Sequence, residues 1–219
     1  MTLYIDIETI PVQRPDLAAF VAGQVKPPAT ITKPESLEKW HAESKQKAIE
    51  DAINRTSFDG AFGEIACICA AIDDGQVYQF WRTDKRTEKQ VIADFADWLI
   101  DHRNKLDPIV GFNHINFDLP FLWKRAVING KRLPYMPRSV KPWDKNVYDV
   151  MHQWDSRNFI SLSSLAAALG IKSNNEFTGA DVYPLWQAGQ FDEIDNYCAD
   201  DVELTRQVYQ CMTFRLAQA

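Results

Sequence analysis

Residues 3–8 read Leu-Tyr-Ile-Asp-Ile-Glu, and aliphatic side chains alternate with a second set that contains Asp6 and Glu8. A period of two predicts a β-strand, and Pro11 ends it. Two acids on one face of an apolar strand are rare unless they are paired or bind a metal. We therefore expect a strand of a sheet that carries Asp6 and Glu8 into a functional site.

Short apolar segments and helical segments interleave along the rest of the chain. A hairpin signal at residues 73–75 joins two of the strands, and a capping box at residues 87–90 begins a helix. This order predicts an α/β fold, a sheet with helices on its faces. The predicted strands are Ile65–Ile72, Gln76–Trp81, Pro108–Phe112 and Val147–Met151, and the later helices are Asp118–Asn129, Ser161–Leu169 and Asp192–Thr213.

Residues 12 to about 62 form a polar region punctuated by prolines, with one predicted helix from near Pro34 to Asn54. The region has too few large apolar residues for a core of its own. We therefore expect one domain, residues 1–219, with a helical insertion after the first strand.

The composition, 46% hydrophobic and 25% charged, is that of an ordinary soluble globular protein. The longest apolar stretch is too short to cross a bilayer, and no basic leader precedes the first strand, so we expect a cytoplasmic protein without a membrane partner. The cysteines form no Cys-x-x-Cys pair and no Cys/His metal framework, and we expect reduced, mostly buried thiols. They are Cys67, Cys69, Cys198 and Cys211.

A second acidic motif, Asn-His-Ile-Asn-Phe-Asp, occupies residues 113–118. It follows an apolar strand and opens a helix, so Asp118 is a candidate metal ligand, with Asn113 and Phe117 beside it for substrate. The same Asn-x-x-x-Phe-Asp spacing occurs at residues 54–59. That copy follows a polar helix and precedes a glycine, so we interpret Asp59 as a turn residue.

A third motif, Tyr-Cys-Ala-Asp-Asp, occupies residues 197–201 of the last predicted helix. Positions four apart share one helix face, so Tyr197 and Asp201 point the same way. Asp200 is rotated by about 100° from Asp201 and is expected to be solvated.

In this order the three motifs resemble the DEDD exonuclease superfamily, which has the ribonuclease-H-like fold, in its tyrosine variant. They are similar to the proofreading exonuclease domain of family B DNA polymerases and to stand-alone bacterial proteins predicted to be related exonucleases. The resemblance extends from Thr2 to about Val208, interrupted by the insertion. It implies a mixed sheet flanked by helices and a 3′→5′ exonuclease that releases 5′-mononucleotides from single-stranded DNA.

The resemblance also implies a catalytic set in which four acids hold two divalent cations and Tyr197 orients the attacking water. Crowded carboxylates repel one another unless cations neutralise them, and oxygen ligands favour Mg²⁺ or Mn²⁺ over Zn²⁺. Asp6 would bridge both ions, with one metal activating the water and the other stabilising the leaving oxygen. The four acids are Asp6, Glu8, Asp118 and Asp201.

Substrate contacts are expected at two places. On the family resemblance, Thr9 and Asn113 hold the terminal nucleotide, with Phe117 packing nearby. Residues 124–145 reverse the chain's net charge of −6, and there Lys131 and Arg132 could guide a single strand, assisted by stacking on nearby aromatic side chains.

Two alternatives stay open at this point. An exoribonuclease could use the same site, because the carboxylates act on phosphate and do not read the 2′ hydroxyl. A noncatalytic nucleic-acid-binding subunit is the other alternative, although such a protein would usually lack one of the four acids.

Overall fold

The computed structural model describes residues 1–102, 106–137, 140–173 and 177–215. Within these ranges a five-stranded mixed sheet has the order β3-β2-β1-β4-β5. The central strand β1 is antiparallel to β2 and parallel to β4, and β4 is parallel to β5. The strands are β1 (Leu3–Ile10), β2 (Glu64–Ile72), β3 (Tyr78–Trp81), β4 (Ile109–Gly111) and β5 (Val147–Asp149).

Helices cover both faces of this sheet, which confirms the expected α/β class with a helical segment inserted after the first strand. Three helices and a short 3-10 helix (Thr56–Phe58) lie between β1 and β2. The helices are α1 (Pro15–Gln24), α2 (Pro34–Glu43), α3 (Lys45–Arg55), α4 (Glu88–Asp101), α5 (Asp118–Ile128), α6 (Val150–Trp154), α7 (Leu162–Ala168), α8 (Val182–Gln187) and α9 (Phe191–Met212).

The alternation of β1 divides the core into two layers. Leu3, Ile5 and Ile7 pack in the layer that contains α4 and α5. Tyr4 packs in the opposite layer with residues of α7, α8 and α9. Asp6 and Glu8 follow Tyr4 at even positions, so the strand directs both acids towards the layer that contains α9.

Several local predictions are confirmed, and others are wrong in extent. The hairpin at residues 73–75 and the capping box of α4 are both present. The strand expected up to Met151 ends at Asp149, where the chain turns into α6. The single helix expected from Pro34 to Asn54 is two helices that meet at Ser44. Helices α1, α6 and α8 have no counterpart in the prediction, because they are short and lack a strong apolar period.

The inserted helices have little interior of their own. In residues 15–55, which the structure describes throughout, Trp40 is the single buried residue of the three helices. The segment that follows them is fastened to β1, because Val12 N donates to Thr56 Oγ1 at 2.8 Å and Thr9 Oγ1 donates to the carbonyl oxygen of Ser57 at 2.7 Å. The insertion therefore returns to the end of the strand that carries Asp6 and Glu8.

A buried ion pair fixes α5 against α4. Arg125 Nε and Nη2 donate to the two carboxylate oxygens of Glu88 at 2.8 and 2.6 Å. The same carboxylate accepts from Ile65 N at 2.8 Å, which ties the pair to the start of β2. These contacts hold the helix that begins with Asp118 in a defined position beside the sheet.

Among the described residues, no helix is both long enough and apolar enough to span a bilayer.

Candidate active site

Three carboxylates meet where α9 crosses the sheet. Asp6 and Glu8 of β1 and Asp201 of α9 each offer an oxygen, and these oxygens all lie within 4.8 Å of one another. All three side chains are partly exposed. A strand period of two and the crossing of one helix are therefore enough to bring together acids almost 200 positions apart in the chain.

The packing of α9 against the sheet determines how closely Asp201 approaches β1. Val202, the next residue after Asp201, is fully buried in the layer between α9 and the sheet. One turn earlier, the Cys198 thiol donates to Asp6 Oδ2 at 3.4 Å and to the Asp6 carbonyl oxygen at 3.5 Å. The helix thus contacts β1 beside the acids, and Asp200 points away into solvent as predicted.

Burial and crowding of the acids disfavour their ionised forms. Burial raises the pKa of Asp6 well above its ordinary value, and the charges of Asp118, Glu8 and Asp201 raise it further. Burial likewise raises the pKa of Glu8, with Cys67, Asp201 and Asp118 adding to the effect. In the part of the chain that the structure describes, the main causes of both shifts include no cationic side chain. Carboxyl groups with raised pKa values are stabilised when a divalent cation replaces their protons.

Asp118 stands beside the cluster rather than inside it. Among the described residues, the group of acids with oxygens within 4.8 Å does not include Asp118. The residue is 3% exposed, and its carboxylate accepts a hydrogen bond from Ile7 N at 3.1 Å. Burial raises the pKa of Asp118 to about 7, opposed by that hydrogen bond and increased by Asp149 and Asp201. As the first residue of α5, Asp118 is attached to β1 between the two acids of the strand.

Tyr197 lies one helical turn before Asp201, as predicted, and its side chain hydrogen-bonds to that carboxylate. Burial raises the pKa of the Tyr197 phenol, and the charges of Asp201, Glu8 and Asp6 raise it further. The hydroxyl therefore keeps its proton at neutral pH and can only donate towards the acids.

The loop that carries Asn113 depends on a residue that sequence reasoning missed. Asp149, at the end of β5, accepts hydrogen bonds from Asn113 N at 3.0 Å and Ile115 N at 3.1 Å. Its carboxylate also lies 3.4 Å from His114 Nδ1, and His114 holds the pKa of Asp149 below its ordinary value despite burial. Asn113 adopts the left-handed conformation, with φ 57°. In the sequence, the available signal for this role was an acid inside the predicted strand Val147–Met151.

The remaining expected substrate residues lie in different places. Thr9 follows Glu8, and its hydroxyl is bonded to Ser57. The ring of Phe117 packs on Phe121, with centroids 5.6 Å apart. Lys131 and Arg132 follow the far end of α5 and line a cavity of about 350 Å³ together with Trp123 and Tyr135. An eleven-residue helix spans about 16 Å, so the structure does not bring these two cations to the acids. Arg138, another basic residue of that segment, lies outside the described residues.

The second Asn-x-x-x-Phe-Asp copy takes a different position, as expected. Asp59 follows the 3-10 helix, accepts from Ala61 N at 3.0 Å and pairs with Lys124 Nζ at 3.0 Å. The pKa of Asp59 is lowered because these contacts outweigh its partial burial. Asp59 is therefore a turn residue with a cationic partner.

The cysteines are free and buried, as predicted, and three of them meet in a way that their spacing does not show. The sulfur atoms of Cys67, Cys69 and Cys198 lie within 4.8 Å of one another. Residues 67 and 69 share one face of β2, and that face packs against α9. Spacing along the chain could not show this contact because it joins a strand to a distant helix.

Comparison with known proteins agrees with this fold. A search of curated proteins gave no match. The family B DNA polymerase of the hyperthermophilic archaeon Pyrobaculum calidifontis superposes with a TM-score of 0.62 at 19% identity, over 97% of this chain and 24% of the polymerase. At that identity the likeness shows the fold, and the chain corresponds to about a quarter of the polymerase's length. A family model described as a predicted 3′-5′ exonuclease related to the exonuclease domain of PolB matches residues 60–218, which contain Asp118, Tyr197 and Asp201. The chain therefore belongs to this family of predicted 3′-5′ exonucleases related to the PolB exonuclease domain.

Proposed function

We propose that this chain hydrolyses single-stranded DNA from its 3′ end to 5′-mononucleotides, using two divalent cations, Mg²⁺ or Mn²⁺. The observation that carries the proposal is the meeting of Asp6, Glu8 and Asp201 within 4.8 Å, with Asp118 fastened to the same strand. The first two of these acids lie before the span matched by the family model, so they support the proposal independently of it.

The side chains fit a site for hard cations. Asp6, Glu8 and Asp201 offer oxygen ligands at close spacing, and their mutual repulsion gives a cation a favourable place. Asp6 and Asp118 would hold the second cation, partly through water. When bound, the cations supply Lewis-acid stabilisation of the attacking and leaving oxygens of an in-line displacement.

Tyr197 has the role of positioning a water. Its phenol is protonated at neutral pH, because burial and three neighbouring carboxylates raise its pKa. A protonated hydroxyl bonded to Asp201 can orient a water beside the acids but cannot remove a proton from it. We therefore assign the removal of a proton from the attacking water to other water or a carboxylate. Tyr197 orients the attacking water.

For the substrate we propose contacts at two distances. Thr9 and Phe117 are chain neighbours of Glu8 and Asp118, and together with Asn113 they would hold the terminal nucleotide. Lys131 and Arg132, at the other end of α5, would contact phosphates further along the strand. Residues 1–219 would act as one domain in which residues 12–62 are an insertion.

The test is hydrolysis of matched single-stranded DNA and RNA oligomers labelled at the 5′ end, with and without Mn²⁺. We expect the DNA to shorten progressively from the 3′ end and to release 5′-mononucleotides. Faster loss of the RNA would assign the site to an exoribonuclease. Binding of both without cleavage, by a protein that has bound Mn²⁺, would indicate a noncatalytic subunit.

A further inference from the structure

A large aromatic side chain is exposed next to Phe117, the residue that precedes Asp118. Phe58 closes the 3-10 helix at the end of the insertion, and 75% of its surface is accessible. A phenylalanine this exposed loses the hydrophobic stabilisation of burial, about 1.5–3 kcal/mol, and contributes nothing visible to the core. Its sequence neighbours Ser57 and Asp59 have hydrogen-bonded roles, whereas the ring itself projects into solvent.

The backbone around Phe58 is held rigidly on the side of β1. Ser57 O accepts from the side chain of Thr9, the residue that follows Glu8. Thr56 Oγ1 accepts from Val12 N at 2.8 Å and donates to Ile53 O at 2.6 Å. The first two of these hydrogen bonds connect the 3-10 helix to the end of β1 and the residues just after it, and the third connects it to α3.

The same segment is also held on the side of α5. Asp59 pairs with Lys124, and Arg125 Nη1 donates to Gly60 O at 3.4 Å. A Cβ added to Gly60 would lie 3.1 Å from the backbone of Phe121, so the segment sits close against the helix. Because both neighbours are anchored, the backbone of Phe58 has a defined position at the surface.

The ring of Phe58 adjoins a second aromatic residue of the site. Its centroid lies 6.4 Å from that of Phe117, with the planes inclined at 56°. Phe117 directly precedes Asp118 and is supported from behind by Phe121. The pair thus consists of one ring that is packed on the core and one ring that is open to solvent.

We propose that Phe58 is a base-stacking residue that receives a nucleobase from the last three nucleotides at the 3′ end of the strand. This inference rests on the proposed function and adds a substrate contact supplied by the insertion. Any base can stack on an aromatic ring, since each base has a π-face. Such stacking does not involve the phosphate at which hydrolysis takes place. The second Asn-x-x-x-Phe-Asp copy then has its own use: its Asp59 fixes the turn, and its Phe58 contacts the substrate.

The test compares Phe58→Ala and Phe58→Trp with the parent protein. Loss of one base stack weakens binding by roughly 5- to 150-fold. We expect Phe58→Ala to raise both the Kd and the KM for a single-stranded oligonucleotide by such a factor, whereas Phe58→Trp stays within threefold of the parent. The matched control is Phe214→Ala, because Phe214 is 92% exposed and lies just beyond the far end of α9.

A second oligonucleotide separates stacking from a merely structural role. It has the same phosphates but carries abasic sites at its three 3′-terminal positions. On this ligand we expect the parent and Phe58→Ala to bind equally, since no base is left to stack. Equal binding of the two proteins on the ordinary oligonucleotide would overturn the proposal, and so would an equal loss on both ligands. If the parent cleaves neither oligonucleotide, the proposed activity fails, and the Kd comparison still decides the role of Phe58.

Discussion

Replacing Asp118 by asparagine should have opposite effects on activity and on the stability of the metal-free protein. The asparagine side chain keeps the shape and can still accept the hydrogen bond from Ile7 N, but the change removes a charge from beside Asp6 and Glu8. Removing one electrostatic group from a transition state costs about 10²-fold or more in rate. We therefore expect Asp118→Asn to lose at least about 10²-fold in turnover at saturating Mg²⁺.

The stability effect has the other sign. The pKa of Asp118 is raised to about 7 from an ordinary value of 3.8, so in the absence of metal the folded state loses stability as the pH rises from about 4 to about 7, and the full loss persists above pH 7. One pKa unit corresponds to about 1.4 kcal/mol, so the charge costs on the order of a few kcal/mol at pH 8. In excess chelator at pH 8, Asp118→Asn should therefore unfold at a higher temperature than the parent, and the difference should vanish near pH 4.

Asp59 provides the matched control, because it has the same local motif but is partly exposed and paired with Lys124. We expect Asp59→Asn to retain turnover within about threefold and to lose a small amount of stability, since it gives up a surface pair. The assays are turnover on labelled single-stranded DNA and thermal unfolding in chelator, with each variant confirmed as folded. Asp118→Asn with near-parent turnover, or with a lower unfolding temperature in chelator, would refute the reasoning.

Three further predictions concern the water, the metals and the strand. Tyr197→Phe should lower turnover by about 10²–10³-fold while calorimetric Mn²⁺ binding stays near that of the parent, because the hydroxyl orients water and holds no cation; unchanged turnover with chemistry rate-limiting would remove it from the mechanism. The stabilisation conferred by saturating Mg²⁺ should grow from pH 5 to pH 8, because the pKa values of Asp6, Glu8 and Asp118 are raised and protons compete with the cation at low pH; thermal unfolding at each pH checks this, and a shift independent of pH would contradict it. Replacing Lys131 and Arg132 by alanine should reduce the slope of log K against log salt concentration for single-strand binding by about 1.4, or about 0.7 per phosphate contact. An unaltered slope would mean that both residues are solvated surface.

The sequence was most informative where one local rule determines the outcome. The period of two in β1 predicts which side chains share a face, and the one-turn spacing of Tyr197 and Asp201 places both on one face of the last helix. The position of Asp118 follows from a strand that ends where a helix begins. These three rules require no knowledge of how distant elements pack.

What sequence reasoning missed depends on contacts between elements. Asp149 holds the Asn113 loop across two parallel strands, and the thiols of β2 meet that of Cys198 only because α9 lies on that face. The motif at residues 54–59 does not show where Phe58 lies, because nothing local indicates that the insertion returns to Thr9. Conversely, the cluster of basic charge in the sequence does not show that Lys131 and Arg132 lie a full helix away from the acids.

The most direct test of the central claim is the metal dependence of hydrolysis in one preparation of protein. Metal-free protein, its Asp6→Asn variant and 5′-labelled single-stranded DNA are compared in excess chelator and after Mn²⁺ is restored, with calorimetry reporting the bound ion. The account predicts no hydrolysis in chelator, recovery of 3′→5′ shortening with Mn²⁺ in the parent, and neither tight Mn²⁺ binding nor recovery in Asp6→Asn. Full activity in excess chelator, with no ion bound, would contradict it.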